Sequence, residues 1–536
     1  MLSRTSATSE KSVEPKGRPP RTLDTSEKAG QRSFLSRRGL LGATLGLGLA
    51  GGLGTVGPVA PTPAHADGRV STERRRWARD TWRSLAAMAD PRTGLVADNI
   101  DADLTTRSGY TSPTNIGGYL WSALVAREWR IIGADECRHR IARTLATLER
   151  MERHRPSGMY FNWYDEATGE VLTTWPDSGE VVTPFVSSVD SAWLGAALWV
   201  VAHADRANRR AARRLFDAMR WDMFFDPDFG TAGGMHGGFC LVQPPGRTDG
   251  TWGNHIGVGD DVWYTNHHYD TAVSETRMTT YLGIMTAQVP ASAYFGTWRT
   301  FPPDWDWPEM APVGQHRTYL GVSVFEGAHQ YRGMRIVPGW GGSMFEELMP
   351  DIFVPEAKWG PRSWGRNHPL HVRAQREHGM VEADYGYWGF SPCSNPLGGY
   401  REYGVDALGL NPDGYFSDVE QTDYDAVTNP APDFGEGVVT PHAGFLAMMH
   451  DAEAAQDNLQ RIERVLGCYG RGGFFDAVAT RTRRTARRYL SLDQAMVMGA
   501  LGNVELGDRV RDWFATREVA ATLRPLLAME EFGADA

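Results

Sequence analysis

Beyond its first 66 residues this 536-residue chain has no long apolar run, which excludes a bilayer-spanning helix from the remainder. Cysteine is scarce. Cys137, Cys240, Cys393 and Cys468 stand far apart with no C-x-x-C among them, so a zinc knuckle is excluded. Four cysteines allow three pairings and the spacing selects none; buried free thiols fit equally well. An excess of positive charge is also missing. Residues 1–66 hold nine of the 55 basic and four of the 65 acidic residues, leaving 46 against 61 and a net charge of about −15. That argues against nucleic acid or an anionic lipid surface as partner and suits a neutral ligand. Strict polar–apolar alternation is rare. No linker, low-complexity tract or charge block interrupts residues 75–530, so residues 67–536 read as one domain.

What is present begins with an address. Ser36-Arg37-Arg38-Gly39-Leu40-Leu41-Gly42 opens a Gly-rich, weakly apolar run that ends near Ala64-His65-Ala66. Twin arginine, apolar stretch and A-x-A site together read as a Tat-type export signal over residues 1–66, removed on export. The protein is then secreted, periplasmic or held at the cell envelope. Nineteen tryptophans supply core, and also flat platforms of the kind on which sugar rings stack. One hairpin stands out, Met159 to Tyr164 returning through Val171-Leu172 around Ala167-Thr168-Gly169.

Six segments share one form: a polar or Gly-rich loop, a capping-type residue, then a helix apolar nearly all round. They are residues 111–126, 187–202, 272–287, 341–353, 438–451 and 490–503. Ser, Thr or Gly at each start suits the orphan N–H groups of a first helical turn, and apolarity on all sides means burial on all sides. Amphipathic helices lie between some of them, at 136–152, 206–219 and 454–466. Buried and half-buried helices in alternation predict an all-α fold, an (α/α)6 barrel with a few short β-hairpins in its loops. The fourth and fifth outer helices are poorly marked.

In such a barrel the N-termini of the inner helices meet at one mouth. Each inner segment carries a polar group near its start: Asn115, Asp190, Glu275, Glu346, His442 and Asp493. Paired carboxylates across an aromatic cleft are what glycoside hydrolysis requires, one protonated to donate and one ionised to activate water or attack carbon. Glu275 and Glu346 are the best-placed glutamates, and Asp190 and Asp493 hold corresponding places. The loop 388–415, with Tyr400 and Glu402, and Trp340 beside Glu346 offer stacking and hydroxyl-binding groups. Arg362, Arg366 and His371 either order the carboxylates or make ion pairs. Residues 253–270 hold His255, Asp260, Asp261, His267, His268 and Asp270. Their spacing matches no two-histidine helix motif, so loop hydrogen bonding is expected there, and neither metal nor cofactor.

Several motifs occur in order: Thr111-Ser112-Pro113-Thr114-Asn115-Ile116-Gly117, Asn162-Trp163-Tyr164-Asp165, Val186-Ser187-Ser188-Val189-Asp190-Ser191, Tyr269-Asp270 with Ser274-Glu275-Thr276-Arg277, and Gly342 through Pro350. From about residue 80 to 505 the chain resembles the glycoamylase-like catalytic domains of bacterial β-1,2-glucanases and cyclic β-1,2-glucan synthases. The resemblance implies an (α/α)6 barrel acting on a glucan-type glycan without metal. It implies Glu275 as general acid. The second carboxylate is Asp493 by likeness to the inverting glucanases, or Glu346 by likeness to the synthases. Asn115, Trp163, Asp165, Asp190, Arg277, Trp340, Tyr400, Glu402 and His442 are the expected sugar-binding set. The synthases' His-rich segment and glycosyltransferase part are missing, which favours a stand-alone hydrolase. A transglycosylase and a non-catalytic glycan-binding envelope protein are the alternatives.

Overall fold

The computed structural model describes residues 67–305, 310–411 and 434–535; the export segment lies outside them, as does part of the 388–415 loop. The helices are α1 (Asp67–Met88), α2 (Pro113–Glu128), α3 (Ala134–Arg150), α4 (Ser188–Ala204), α5 (Arg209–Asp217), α6 (Arg277–Met285), α7 (Met344–Leu348), α8 (Glu356–Trp359), α9 (Trp364–Glu377), α10 (Pro441–Ala447), α11 (Ala452–Leu466), α12 (Ser491–Val504), α13 (Arg509–Phe514) and α14 (Arg517–Met529). No described helix is long and apolar enough to cross a membrane.

The six buried segments become α2, α4, α6, α7, α10 and α12. Each packs on the next: α2 on α4, α4 on α6, α7 on α10, α10 on α12, and α12 back on α2. Arg277 of α6 closes the remaining step by donating to the backbone carbonyls of Glu346 and Glu347 in α7. Small residues permit the close approach. A Cβ on Gly117 would lie 2.8 Å from Trp193 O in α4, and one on Gly118 2.7 Å from Ala495 Cβ in α12. Both are shorter than any ordinary contact, so α2 touches both neighbours through glycine. The caps are local. Ser112 Oγ accepts from Asn115 N and Ser187 Oγ from Asp190 N, each at 3.2 Å, with Pro113 at the first helical position of α2. Phe353, just after α7, meets Trp121 of α2, Trp193 of α4 and Phe514 of α13, and so ties that segment to all three helices.

Outer helices cover the ring: α1 on α12 and α2, α3 on α2, α5 on α4, α9 on α7, and α11 on α10. The helix that backs α6 is α14, from the far end of the chain. Between α6 and α7 the chain builds a sheet in place of an outer helix, which is why that outer helix is poorly marked in the sequence.

β-structure exceeds the expected few hairpins. Val313–Tyr319, Val322–Tyr331 and Met334–Ile336 form an antiparallel sheet, and a four-stranded one joins Phe185–Ser187, Gly238–Cys240, Val262–Thr265 and Gly250–Gly253. The first is turned twice through left-handed pairs, Leu320-Gly321 (φ 50°, 84°) and Arg332-Gly333 (φ 47°, 82°). These are two-residue hairpin turns without the Asn-Gly or Asp-Gly signature that advertises them. The hairpin expected at 159–172 is redistributed. Met159–Tyr160 pairs backward with Arg153–His154, and only Tyr164 pairs forward with Val171. All four cysteines are buried free thiols.

Candidate active site

Helix starts place the polar groups, with one difference from expectation. Helix α6 begins at Arg277, so Glu275 stands in the turn before it, where Ser274 Oγ donates to its carboxylate at 3.2 Å. Glu346 lies inside the five-residue α7 and forms a capping box with Ser343. Its carboxylate accepts from Ser343 N (3.0 Å), Ser343 Oγ (2.9 Å) and Gly341 N (3.1 Å).

Strand pairing delivers a further acid. Asn99–Asp101 pairs with Arg488–Leu490, and Ser491 N at the head of α12 donates to Asp98 O at 2.8 Å. Asp98 is thereby fixed at the start of the helix that carries Asp493, and Asn115 Nδ2 donates to its carboxylate at 3.0 Å. Thr114 Oγ1 donates to Asp190 at 2.5 Å. With the Asn162 amide turned as its neighbours require, it donates to Asp190 Oδ2 at 2.8 Å and accepts from Trp163 Nε1 at 3.3 Å. The Trp163 ring stands 5.4 Å from Tyr110 and 5.2 Å from Trp175. Asp476 follows the Gly473–Phe474 strand and accepts from Ser394 N at 2.6 Å. Asp493 is its electrostatic neighbour, and burial together with that charge raises its pKa well above the usual carboxylate range.

Electrostatic neighbours run in a closed circuit. Glu346 feels Glu275; Tyr269 feels Glu275 and Asp190; Asp190 feels Asp98; Asp98 feels Asp476. Asp476 pairs with Asp493, Tyr400 feels Asp493, Asp476 and Glu402, and Glu402 acts on Glu275. Acids from residue 98 to residue 493 are thus linked as one set of electrostatic neighbours. Asp98, Asp190, Tyr269, Glu275, Tyr400 and Glu402 keep partial exposure, while Asn115, Glu346, His442, Asp476 and Asp493 are buried.

Burial governs the acidities. It pushes Glu275 up to about 7, Asp493 to about 7 and Glu346 to about 8, with the Glu275 charge adding to the last. It raises Asp98, Asp190 and Asp476 as well. Asp493 Oδ2 lies 3.2 Å from His442 Nδ1. The Thr440 hydroxyl is spent on Asp476 O (2.7 Å), so His442 Nδ1 donates to Thr440 Oγ1 (2.8 Å). Burial drives His442 down to about 4, so the ring is neutral. With the Nδ1 proton directed at Thr440, Asp493 Oδ2 accepts no hydrogen bond among the described residues, and His442 Nε2 is likewise unpartnered. The site therefore offers proton donors that titrate near neutrality and a buried carboxylate oxygen with a free lone pair.

Two expected sugar ligands are placed elsewhere. All five N–H donors of Arg277 are used: on both oxygens of Glu356, on Ser274 O, and on the carbonyls of Glu346 and Glu347. None is left for a hydroxyl, because the guanidinium is the bolt between α6, α7 and α8. Asp165 closes its own turn, accepting from Ala167 N and Thr168 N at 2.9 and 2.8 Å. Trp340 is half-buried beside the 409–411 backbone, with its carbonyl accepting from Leu410 N and Asn411 N. Arg362 pairs with Glu531 at the surface, and His371 lies behind Glu347, 3.9 Å from its carboxylate. Sequence reading missed Asp98 and Asp476. Asp476 carried a signal, a lone acid inside the apolar run Phe474 to Val478; Asp98 carried none.

Comparison with known proteins bears out the resemblance to glycoamylase-like domains. Residues 267–516 match the Glycoamylase family model, described as "Putative glucoamylase", and residues 76–224 match a family of unknown function, DUF3131. Over 85% of its length the chain is 22% identical to the cyclic β-(1,2)-glucan synthase NdvB of Rhizobium meliloti, of which it spans only 18%. Among solved structures it is similar to an endo-β-1,2-glucanase from Chitinophaga pinensis, in complex with sophorotriose and glucose. The TM-score is 0.60 and the identity 15%, covering 85% of this chain and 98% of that one. It is also similar to a β-1,2-glucanase from Parabacteroides distasonis, with TM-score 0.63 and identity 14%, covering 85% of this chain and 60% of that one. At such identities the likeness speaks for the fold.

Proposed function

We propose that the chain is an exported glycoside hydrolase of (α/α)6-barrel architecture, a single catalytic domain over residues 67–536, cleaving a β-1,2-glucan or a similar glucan. One observation carries the proposal: Glu275 and Asp493 belong to one circuit of acids, both titrating at about 7, the first partly exposed and the second buried with an oxygen that accepts no hydrogen bond among the described residues. Glu275 donates its proton to the glycosidic oxygen as the bond breaks. Asp493 takes a proton from the attacking water, with the neutral His442 ring beside its carboxyl. Glu346 fits the second role less well, because its carboxylate already accepts three donors of its own helix cap. Sugar binding then falls to Asn115, Trp163, Asp190, Trp340, Tyr400, Glu402 and His442. The glucanase neighbours support the choice of glycan, and the twin-arginine segment supports export by the Tat route.

Glu275→Gln tests the reading. General acid catalysis contributes about 10²–10⁴-fold, so release of reducing ends from β-1,2-glucan should fall at least about a hundredfold while circular dichroism stays unchanged. Activity near wild type would remove Glu275 from the mechanism. The anomer first released, read by NMR, assigns the partner: an inverted product supports Asp493 and a retained one transfers the role to Glu346. The relation to a glucan synthase favours transglycosylation as a second reading, and products longer than the substrate at high concentration would establish it. A purely glycan-binding protein would release no reducing ends from any glucan.

A further inference from the structure

Tyr269, the neighbour of Glu275 and Asp190, stands at the end of a small antiparallel sheet in which His268–Tyr269 pairs with Gly234–His236, and that strand with Phe225–Asp226. His268 lies directly opposite His236. Asp226 lies opposite Gly234, two residues before His236. By the two-residue period of a strand, all three side chains share one face. Asp226 Oδ2 is 3.0 Å from His268 Nε2 and 3.8 Å from His236 Nε2, and the three donor atoms all fall within 4.8 Å of one another. Ligands at about 2.0–2.2 Å around a tetrahedral zinc ion stand roughly 3.3 Å apart, so the cluster is close to the size an ion demands.

Each ligand atom is also aimed. Thr265 O lies 2.9 Å from His236 Nδ1, which keeps the proton on Nδ1 and the lone pair on Nε2. Asp228 N donates to Asp226 Oδ1 at 3.0 Å, leaving Oδ2 to the histidines. Outer partners of this kind orient metal ligands. Phe229 stacks on His268 at 3.8 Å and Tyr264 on His236 at 4.5 Å. Burial keeps both imidazoles neutral, with His236 pushed down to about 4. Among the described residues no Arg or Lys pairs with Asp226. A second trio, Asp351, His368 and His450, is as compact. There Arg511 already pairs with Asp351 at 2.5 Å, and His368, raised to about 9 by Glu347 and Glu356 against its burial, brings a second positive charge. The carboxylates there, Asp351, Glu347 and Glu356, are already matched by Arg511, His368 and Arg277.

We propose that Asp226, His236 and His268 bind one divalent transition-metal ion of the zinc class, with solvent completing the shell, and that the ion pins the strand that carries Tyr269. Two imidazoles and one carboxylate favour zinc over calcium or magnesium, which take oxygen shells. Binding shifts the single proton of the neutral His268 ring from Nε2, where it now faces Asp226, to Nδ1, and Nε2 gives its lone pair to the ion. The role is structural and independent of the hydrolytic reading.

The experiment is a titration of the chelator-stripped full chain with zinc chloride, followed by calorimetry and thermal melting. Wild type should bind one zinc per chain and melt at higher temperature with it. The His236→Ala/His268→Ala double variant should lose that event, and Asp226→Asn, which removes the ligating charge, should weaken it several-fold or more. Asp226→Asn is nearly isosteric, so it reads the site even if the double variant folds poorly. Absence of zinc uptake by wild type would overturn the proposal, as would equal uptake and equal melting shifts in wild type and Asp226→Asn.

Discussion

Asp493 is 3% exposed and sits in the first turn of α12, two conditions that pull its acidity in opposite directions. A helix N-terminus favours a carboxylate by about 0.3–1 kcal/mol. Burial instead lifts the group from 3.8 to about 7, which at 1.36 kcal/mol per pKa unit is about 4 kcal/mol. Burial wins, and the consequence is measurable. The folded state holds the proton more tightly than the unfolded chain, so stability falls as pH rises from about 4 to about 7 and stays lowered above that. Asp493→Asn removes the ionisable group and keeps the shape. The variant should melt above wild type at pH 8 and close to it at pH 4, while losing hydrolysis near pH 7; a melting difference independent of pH would refute the assignment. The residues legible in the sequence were those at capped starts of all-apolar helices, because capping and burial are local signals. Asp98 was not, since its place depends on a strand pairing with residues 488–490, almost 400 positions away.

At the scale of elements, the junction of α6, α7 and α8 explains why a short helix can hold a glutamate at the mouth. Arg277 links three elements. Beneath it, Glu356 also accepts from Tyr281 Oη at 2.7 Å, and His368 stands between Glu347 (2.5 Å) and Glu356 (3.4 Å). The five-residue α7 is too short to be stable alone; its capping box and these buried charges fix it. Breaking a buried ion pair on one side costs about 3–5 kcal/mol. Arg277→Met should therefore lower the unfolding free energy by about that much in urea. In the folded fraction KM should stay within about twofold of wild type, because no uniform substrate contact is lost. A large rise in KM with unchanged stability would return Arg277 to the sugar. Helix existence was legible here and strand content was not. Helical caps show in composition, whereas the 313–336 sheet turns on Leu-Gly and Arg-Gly pairs whose left-handed backbone no propensity suggests.

At the scale of the molecule, the ring is completed by its own far end. Helix α14 packs on α6 and α8. Just beyond it, Glu530 binds Arg299 and Tyr294, and Tyr294 Oη in turn accepts from Trp364 Nε1 at 2.8 Å. Asp535 N donates to Arg335 O at 2.9 Å, so the end of the chain joins the 334–336 strand. The segment that backs the Glu275 turn is thus more than 230 residues distant in sequence, and periodicity, which reports only neighbours, gives no sign of it. Leu527 has no exposed surface, and truncating such a side chain costs about 2–5 kcal/mol. Leu527→Ala should lower the melting temperature by several degrees. Because α14 supports α6 from behind and touches none of the mouth acids, kcat measured well below melting should stay near wild type. Loss of kcat without loss of stability would mean that α14 does more than support, and that the mouth is set by the outer layer as much as by the ring it encloses.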